Sequence, residues 1–122
     1  MSRPKLEDAV LLVVDRLYVE KFHPALLIDV VRGVARVYRL PDESHTQMIN
    51  ETRLQEGKLA RPDGQELKFV SSDERMSLRD AVRSKTIWLG NHGYVEIQNE
   101  VVWSTEAGSE RAALLTAFNK IH

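Results

Sequence analysis

The segment from Leu6 to Phe22 constrains the fold most, because it is apolar on more than one side. Apolar residues at positions 6, 9, 10, 13, 14 and 17 have the spacing of one face of an α-helix. Leu11 and Leu12 fall outside that stripe. Such a helix needs cover from two directions, so we expect the first helix, or the last, to pair with a second subunit.

Size and composition narrow the classes of protein to which the chain can belong. Its 122 residues, 43% hydrophobic and 29% charged, suit one globular domain over 1–122. Cys is absent, which excludes disulfides, thiolate metal sites and a cysteine nucleophile. The longest apolar run, Ala9–Val14, is far below the ~20 residues of a membrane span, and early charges do not fit a signal peptide. We therefore expect a cytoplasmic protein with no membrane contact.

The first half of the chain predicts two more helices and a β-ribbon. A helix over Ala25–Arg39 follows His23-Pro24; its β-branched residues allow a strand, but three arginines that share its opposite side favour a helix. Ser44–Glu56 reads as a shorter helix that Gly57 closes. The turn residues Pro62-Asp63-Gly64 lie between two extended pieces and predict a ribbon over residues 59–70.

The second half predicts a helix, a hairpin and a closing helix. Ser77 and Asp80 form a capping box that begins a helix reaching Gly90, although residues 86–89 could equally end as a strand. Residues 94–97 and 101–103 make a hairpin around Gln98-Asn99-Glu100. Ser104 or Thr105 then caps a helix to Ile121. Its expected inner side holds the stem of Arg111 with Leu114, Leu115, Phe118 and Ile121.

The residue pattern gives little support for an enzymatic function. The 4 histidines are scattered, and no pair of them has the one-turn spacing of a helical metal site. Ser71, Ser72 and Ser77 lie beside helix starts, where capping is the more common role of a hydroxyl. We therefore expect no catalytic residue, no metal and no cofactor.

A line of arginines is the strongest candidate for a binding surface. Arg75, Arg79 and Arg83 recur every four residues, with Lys85 close by. Such a stripe is either a solvated helix face or a phosphate-binding one. The net charge of -1 hides a local excess, since residues 53–85 hold 8 Lys and Arg against 6 Asp and Glu, and residues 86–122 hold 2 against 4.

Residues Ser77 to Leu115 resemble the end of a bacterial winged-helix DNA-binding domain of the MarR or PadR kind. A capped helix runs into Leu89-Gly90-Asn91-His92-Gly93-Tyr94-Val95, similar to the leucine, polar turn, glycine, aromatic and valine of that family. Val101–Trp103 and Thr105-Glu106-Ala107-Gly108 look like its second wing strand and the start of its closing helix. The resemblance covers about a third of the chain.

The resemblance implies an α+β winged helix-turn-helix fold in which the helix before the hairpin enters the DNA major groove. The residues it assigns to DNA contact are Ser77, Arg79, Arg83 and Lys85, beside Arg75. Two departures stand out. The expected wing, Gln98–Glu100, is acidic where the family has Arg or Lys, which leaves open a winged helix that binds protein. The segment Ser71–Met76 is also too short for the helix that the family has before the recognition helix.

A second register of the same fold is open. Residues 25–39 and 44–56 would form their own helix-turn-helix, with residues 59–70 as the wing. Its phosphate contacts would be Arg53, Lys58, Arg61 and Lys68. In either register we expect a homodimeric DNA-binding transcriptional regulator. The alternative is an adaptor of the same fold that binds protein without DNA, and an enzyme ranks third.

Overall fold

A computed structural model describes residues 4–40, 48–49 and 76–121 of the chain. These residues form an α+β architecture of four helices and a small antiparallel sheet. In chain order the elements are α1 (Leu6–Lys21), β1 (Ala25–Leu26), α2 (Leu27–Val37), β2 (Met48–Ile49), β3 (Met76–Ser77), α3 (Leu78–Asn91), β4 (Val95–Gln98), β5 (Val101–Ser104) and α4 (Glu106–Ile121).

Three short strands form the main sheet, in the order β1-β5-β4. β4 and β5 are a hairpin, with Val95 opposite Ser104 and Gln98 opposite Val101. β1 pairs antiparallel with the other edge of β5, with Ala25 opposite Val102. The sheet therefore joins the end of α1 to the hairpin that follows α3.

Helix α1 lies at the centre of the core, as its two-sided apolar pattern predicted. It contacts α2, α3, α4 and β5. Val10, Leu11 and Val14 are completely buried, and Leu12, on the far side of the stripe, is half-buried. In the part of the chain that the structure describes, no helix is both long and apolar enough to cross a membrane.

The predicted second helix begins two residues later than expected. Ala25 and Leu26 form β1 instead, and the helix starts at Leu27, whose N–H donates to the Glu100 carbonyl oxygen at 2.8 Å. Pairing with β5 satisfies backbone groups at these positions, which a pattern of side chains alone does not reveal. The helix is confirmed over Leu27–Val37, with Arg32 and Arg36 exposed on the predicted arginine side. It ends two residues before the predicted Arg39, which lies in a turn at φ 58°.

The helix predicted over Ser44–Glu56 is wrong at Met48 and Ile49. These two residues form β2, which pairs antiparallel with Met76 and Ser77 in a separate two-stranded sheet. Their partners are distant in sequence, so helical periodicity could not indicate them, and tertiary pairing overrides a weak local preference. The remainder of that helix and the ribbon predicted over residues 59–70 lie outside the described residues.

Helix α3 begins where the capping box predicted. The Ser77 hydroxyl oxygen accepts a hydrogen bond from the Asp80 N–H at 3.2 Å, so it satisfies a backbone donor that the first turn leaves free. The helix continues to Asn91, which excludes a strand at residues 86–89. Buried Thr86 fits the helix because its hydroxyl donates to the Val82 carbonyl oxygen at 2.6 Å.

The closing helix α4 packs only partly through the face predicted: Leu115 lies against the core as expected, Leu114 does not, and the side chains of Phe118 and Ile121 lie outside the described ones. Thr105 caps it by accepting from the Gly108 N–H at 3.1 Å. A Cβ on Gly108 would lie 1.9 Å from the Tyr94 carbonyl oxygen, so the helix approaches the chain there through a bare glycine. That approach turns Gly108 and Ala112 inward and leaves Leu114, expected inside, 71% exposed.

The close approach at Gly108 predicts a large loss of stability in Gly108→Ala. Because the new methyl group would meet backbone that cannot move aside cheaply, we expect the free energy of unfolding to fall by at least ~2 kcal/mol. Urea denaturation followed by circular dichroism measures this change.

Gly90→Ala is the matched control for that prediction. The nearest atom to a Cβ on Gly90 is 3.6 Å away, which is ordinary contact. Alanine in a helix interior should therefore raise the free energy of unfolding by ~0.5–1 kcal/mol. Equal urea midpoints for the two variants would show that Gly108 is not needed for the packing of α4.

Candidate nucleic-acid interface

The exposed side of α3 and the neighbouring hairpin form the candidate surface. Arg79 and Arg83 lie one helical turn apart on α3, and both are exposed. Arg79 makes no ion pair with any residue the structure describes. The other predicted contacts Arg53, Lys58, Arg61, Lys68 and Arg75 lie outside the described residues.

Ser77 lies at the start of this surface but its hydroxyl is already used. It is half-buried, and it caps α3 through the Asp80 N–H. Its position orients the first turn of α3, from which Arg79 projects. Ser77 therefore contributes to the surface by fixing where the helix begins.

The acidic residue of the hairpin turn faces the second arginine. The Arg83 guanidinium donates from Nη2 to Glu100 Oε1 at 2.7 Å, and the two side chains are 46% and 61% exposed. Glu100 reaches this place because the turn is tight, with Asn99 in the left-handed region at φ 59°. The turn differs from the basic wing of the family because it is acidic. Its Glu100 thus partly neutralises the positive charge of α3.

Lys85 points to another part of the molecule. Its Nζ lies 3.7 Å from Glu7 Oε2 on α1, and both side chains are largely covered. Residues two apart on a helix do not share a face, so Lys85 does not extend the line of Arg79 and Arg83. Its predicted place beside the arginine stripe is not the place the fold assigns to it.

A small apolar groove lies between α3 and the hairpin, and sequence reasoning missed it. It encloses about 190 Å³. Its apolar lining is Leu27, Ile87, Ile97, Val101 and Val102, and the Arg83–Glu100 pair also borders it. Ile87 and Ile97 are 51% and 41% exposed. The sequence feature that could have indicated this groove is Ile87, an apolar residue outside the inner stripe of α3.

Opposite charges balance on this surface. Arg79 and Arg83 are accompanied by Asp80, next in the chain, and by Glu100 across the groove. Isolated exposed ion pairs stabilise a protein by only ~0–1 kcal/mol. Within the described part of the chain, Arg83 therefore has one weak exposed partner, Glu100.

Other polar clusters hold the elements together. Asp15 on α1 accepts from the hydroxyls of Ser104 at 2.8 Å and Ser109 at 2.6 Å, which ties β5 and α4 to the central helix. Asp8 lies 3.7 Å from the Arg111 guanidinium, whose carbon is 5.4 Å from the centre of the Tyr94 ring. Among the described residues, no group of three or more His, Cys, Asp or Glu could hold a metal ion.

No protein-family model, curated protein or solved structure shows a significant match to this chain.

Burial makes the Asp8 carboxyl group sensitive to pH. Desolvation raises the pKa of Asp8 above its ordinary value of 3.8, against the opposing effect of Arg111. A carboxyl whose pKa is higher in the folded protein holds its proton longer when folded, so its contribution to stability falls as pH rises from 3.8 through the raised pKa. Asp8→Asn should remove this fall, and urea unfolding across that pH window measures it.

Titration of the Asp8 carboxyl by NMR tests the same cause directly. Its pKa should lie above the ordinary value, and Arg111→Ala should raise it further, because the guanidinium favours the charged form. A pKa of Asp8 at or below the ordinary value in the unaltered protein would contradict this account.

Proposed function

We propose that this chain is a winged-helix DNA-binding regulator that acts as a homodimer, with α3 as its recognition helix. The observation that carries the proposal is the position of Arg79 and Arg83 on the exposed side of a capped helix that leads directly into a β-hairpin. Among the described elements, the order of α1, β1 and α2, followed after β2 and β3 by α3, the hairpin and α4, supports it, as does the pairing of β1 with the hairpin.

Contact between α2 and α3 supports this register over the alternative one. The sequence just before Ser77 is too short for a helix that would support α3. In the fold, α2 packs against α3 although the two are far apart in the chain. We infer that α2 is the supporting helix of the helix-turn-helix. The recognition residues of the other register lie outside the described part of the chain.

The proposed mechanism uses the two arginines in one line. Seated in the major groove, α3 presents Arg79 and Arg83 to the phosphate backbone or to base edges, where each neutralised phosphate releases counterions. Two arginines supply little affinity, so two copies of α3 on successive helical turns of DNA are needed for useful binding. The near-neutral chain predicts weak non-specific binding.

The salt dependence of binding to duplex DNA tests this proposal. The logarithm of affinity should fall linearly with the logarithm of salt, by about 0.9 for each phosphate contact. Arg79→Ala and Arg83→Ala should each lower affinity and make that slope shallower by up to about 0.9 per copy. Fluorescence anisotropy with a labelled duplex measures both.

Arg32→Ala is the control for these variants. Arg32 is an exposed arginine on α2 that pairs with Asp29 on the same helix at 3.7 Å, so the change in net charge is the same. It should leave the slope unchanged. Absence of duplex binding at low salt, or equal losses in all three variants, would overturn α3 as the recognition helix.

Glu100 should limit the affinity for DNA. Glu100→Gln removes the partner of Arg83, and because an exposed pair is worth at most ~1 kcal/mol, affinity should rise by up to ~5-fold. The gain should shrink when Arg83 is already alanine, which a double-mutant cycle measures. An equal gain in both backgrounds would mean that Glu100 repels DNA without acting through Arg83.

A protein-binding adaptor is the second candidate, and the apolar groove favours it. Exposed Ile87 and Ile97 border a groove whose charged neighbours balance each other. Apolar surface of this kind is typical of protein contacts. Ile87→Glu separates the two functions. In the regulator it only adds one negative charge to the DNA-binding helix, whereas in the adaptor it introduces a charge into the middle of the surface that contacts the partner protein.

A further inference from the structure

The Arg83–Glu100 pair borders the apolar groove between α3 and the hairpin, so that two opposite charges lie beside one small apolar space. The groove encloses about 190 Å³. Sites for drug-sized ligands enclose roughly 300–1,000 Å³, so this one suits a molecule with a single apolar side chain. We propose that the groove binds a free α-amino acid, with its carboxylate on Arg83, its ammonium group on Glu100 and an aliphatic side chain inside.

The lining of the groove sets the kind of side chain that fits. Leu27 comes from α2, Ile87 from α3 and Ile97 from β4, and two valines of β5 complete the aliphatic part. Ile87 and Ile97 are exposed, so a ligand side chain that covers them removes apolar surface from water. The hydroxyl of Thr86, which also lines the groove, already donates to the Val82 carbonyl oxygen. This lining favours an aliphatic side chain such as that of leucine, isoleucine or valine.

The two charged groups keep most of their capacity for hydrogen bonding. Arg83 donates from Nη2 to Glu100 Oε1 at 2.7 Å. A guanidinium has five N–H donors and a carboxylate has two oxygens. Among the described residues, neither side chain makes a second ion pair or hydrogen bond. Arg83 can therefore donate to a ligand carboxylate, and Glu100 can accept from a ligand ammonium group, while the pair itself stays intact.

The opposite charges select against ligands that carry only one charge. A simple anion would be attracted by Arg83 but repelled by Glu100, and a simple cation would meet the reverse. An α-amino acid carries both charges and its side chain on one carbon atom, so all three groups reach the groove together. The end of a protein chain carries one of these charges and lacks the other. The charge pattern thus favours a free amino acid over the terminus of a partner protein.

Occupation of the groove would engage an arginine that the proposed function assigns to DNA. A bound carboxylate takes N–H donors of Arg83 that a phosphate would otherwise use, so the amino acid and the duplex should compete. This competition rests on the proposed function, whereas the binding site itself does not. The amino acid would then act as an effector that releases the chain from DNA.

An NMR titration of the isotope-labelled full chain with L-leucine tests the site. Amide signals of α3 and the hairpin should shift, with a dissociation constant of ~0.1–1 mM for so small a ligand. Glycine lacks the side chain, N-acetyl-leucine lacks the ammonium group and leucinamide lacks the carboxylate. Each should bind at least ~10-fold more weakly, because each loses one of the three contacts.

The same ligand series shows what would overturn the site. N-acetyl-leucine and leucinamide also stand for the two ends of a protein chain, so binding of either as tight as that of L-leucine would assign the groove to a protein partner. Equal binding of glycine would exclude the apolar groove from the site. An absence of shifts at ~10 mM L-leucine would mean that no such site exists.

Substitutions locate the site on the molecule. Arg83→Gln and Glu100→Gln should each raise the dissociation constant of L-leucine at least ~10-fold, because each removes one charged contact. Arg32→Gln removes the same charge from α2, outside the groove, and should leave the constant unchanged. Equal losses in all three variants, or no loss in either groove variant, would overturn the proposal. The ligand series uses the unaltered chain and tests the site even if a variant fails to fold.

The same samples, tested with duplex DNA, separate the site from the proposed function. Saturating L-leucine should lower the duplex affinity of the unaltered chain but not that of Arg83→Gln. A chain that binds L-leucine but no duplex at low salt overturns the regulator and leaves the site standing. A chain that binds the duplex but not L-leucine overturns the site and leaves the regulator standing.

Discussion

The burial of α1 is the constraint on which the rest of this fold depends. Among the described elements, α1 contacts the three other helices and the sheet. Val10 and Val14 are completely buried within it, so every neighbour packs against a continuous apolar surface. Asp15 adds a polar tie to β5 and α4 through two serine hydroxyls. Packing against α1 therefore determines how the candidate surface is oriented.

Around that helix, two close contacts set the position of the hairpin. Gly108 lets α4 approach the chain at Tyr94, just before β4, and β1 holds the far side of β5. The hairpin turn thereby comes close to α3, where Glu100 meets Arg83. The two charges form an exposed pair, which stabilises the fold by at most ~1 kcal/mol.

Local signals predicted most of the helices and the hairpin. The Ser77 cap indicated the start of α3, and the turn residues around Asn99 indicated the hairpin, because caps and turns depend on neighbours in the chain. The two-residue strands at Ala25 and Met48 were missed, since each depends on a partner far along the sequence. Leu114 was placed inside because nothing local showed how closely Gly108 approaches Tyr94.

The sequence by itself determined the two-sided apolar helix, the capped helix with Arg79 and Arg83 in one line, and the acidic character of the turn that follows. Those properties depend on residue type and on spacing within one element. Only the tertiary structure decided that Arg83 meets Glu100, that Lys85 turns to Glu7, and that α3 and the hairpin enclose an apolar groove. The reason is physical: such contacts join different elements, and the packing of the elements, not their periodicity, sets which side chains meet.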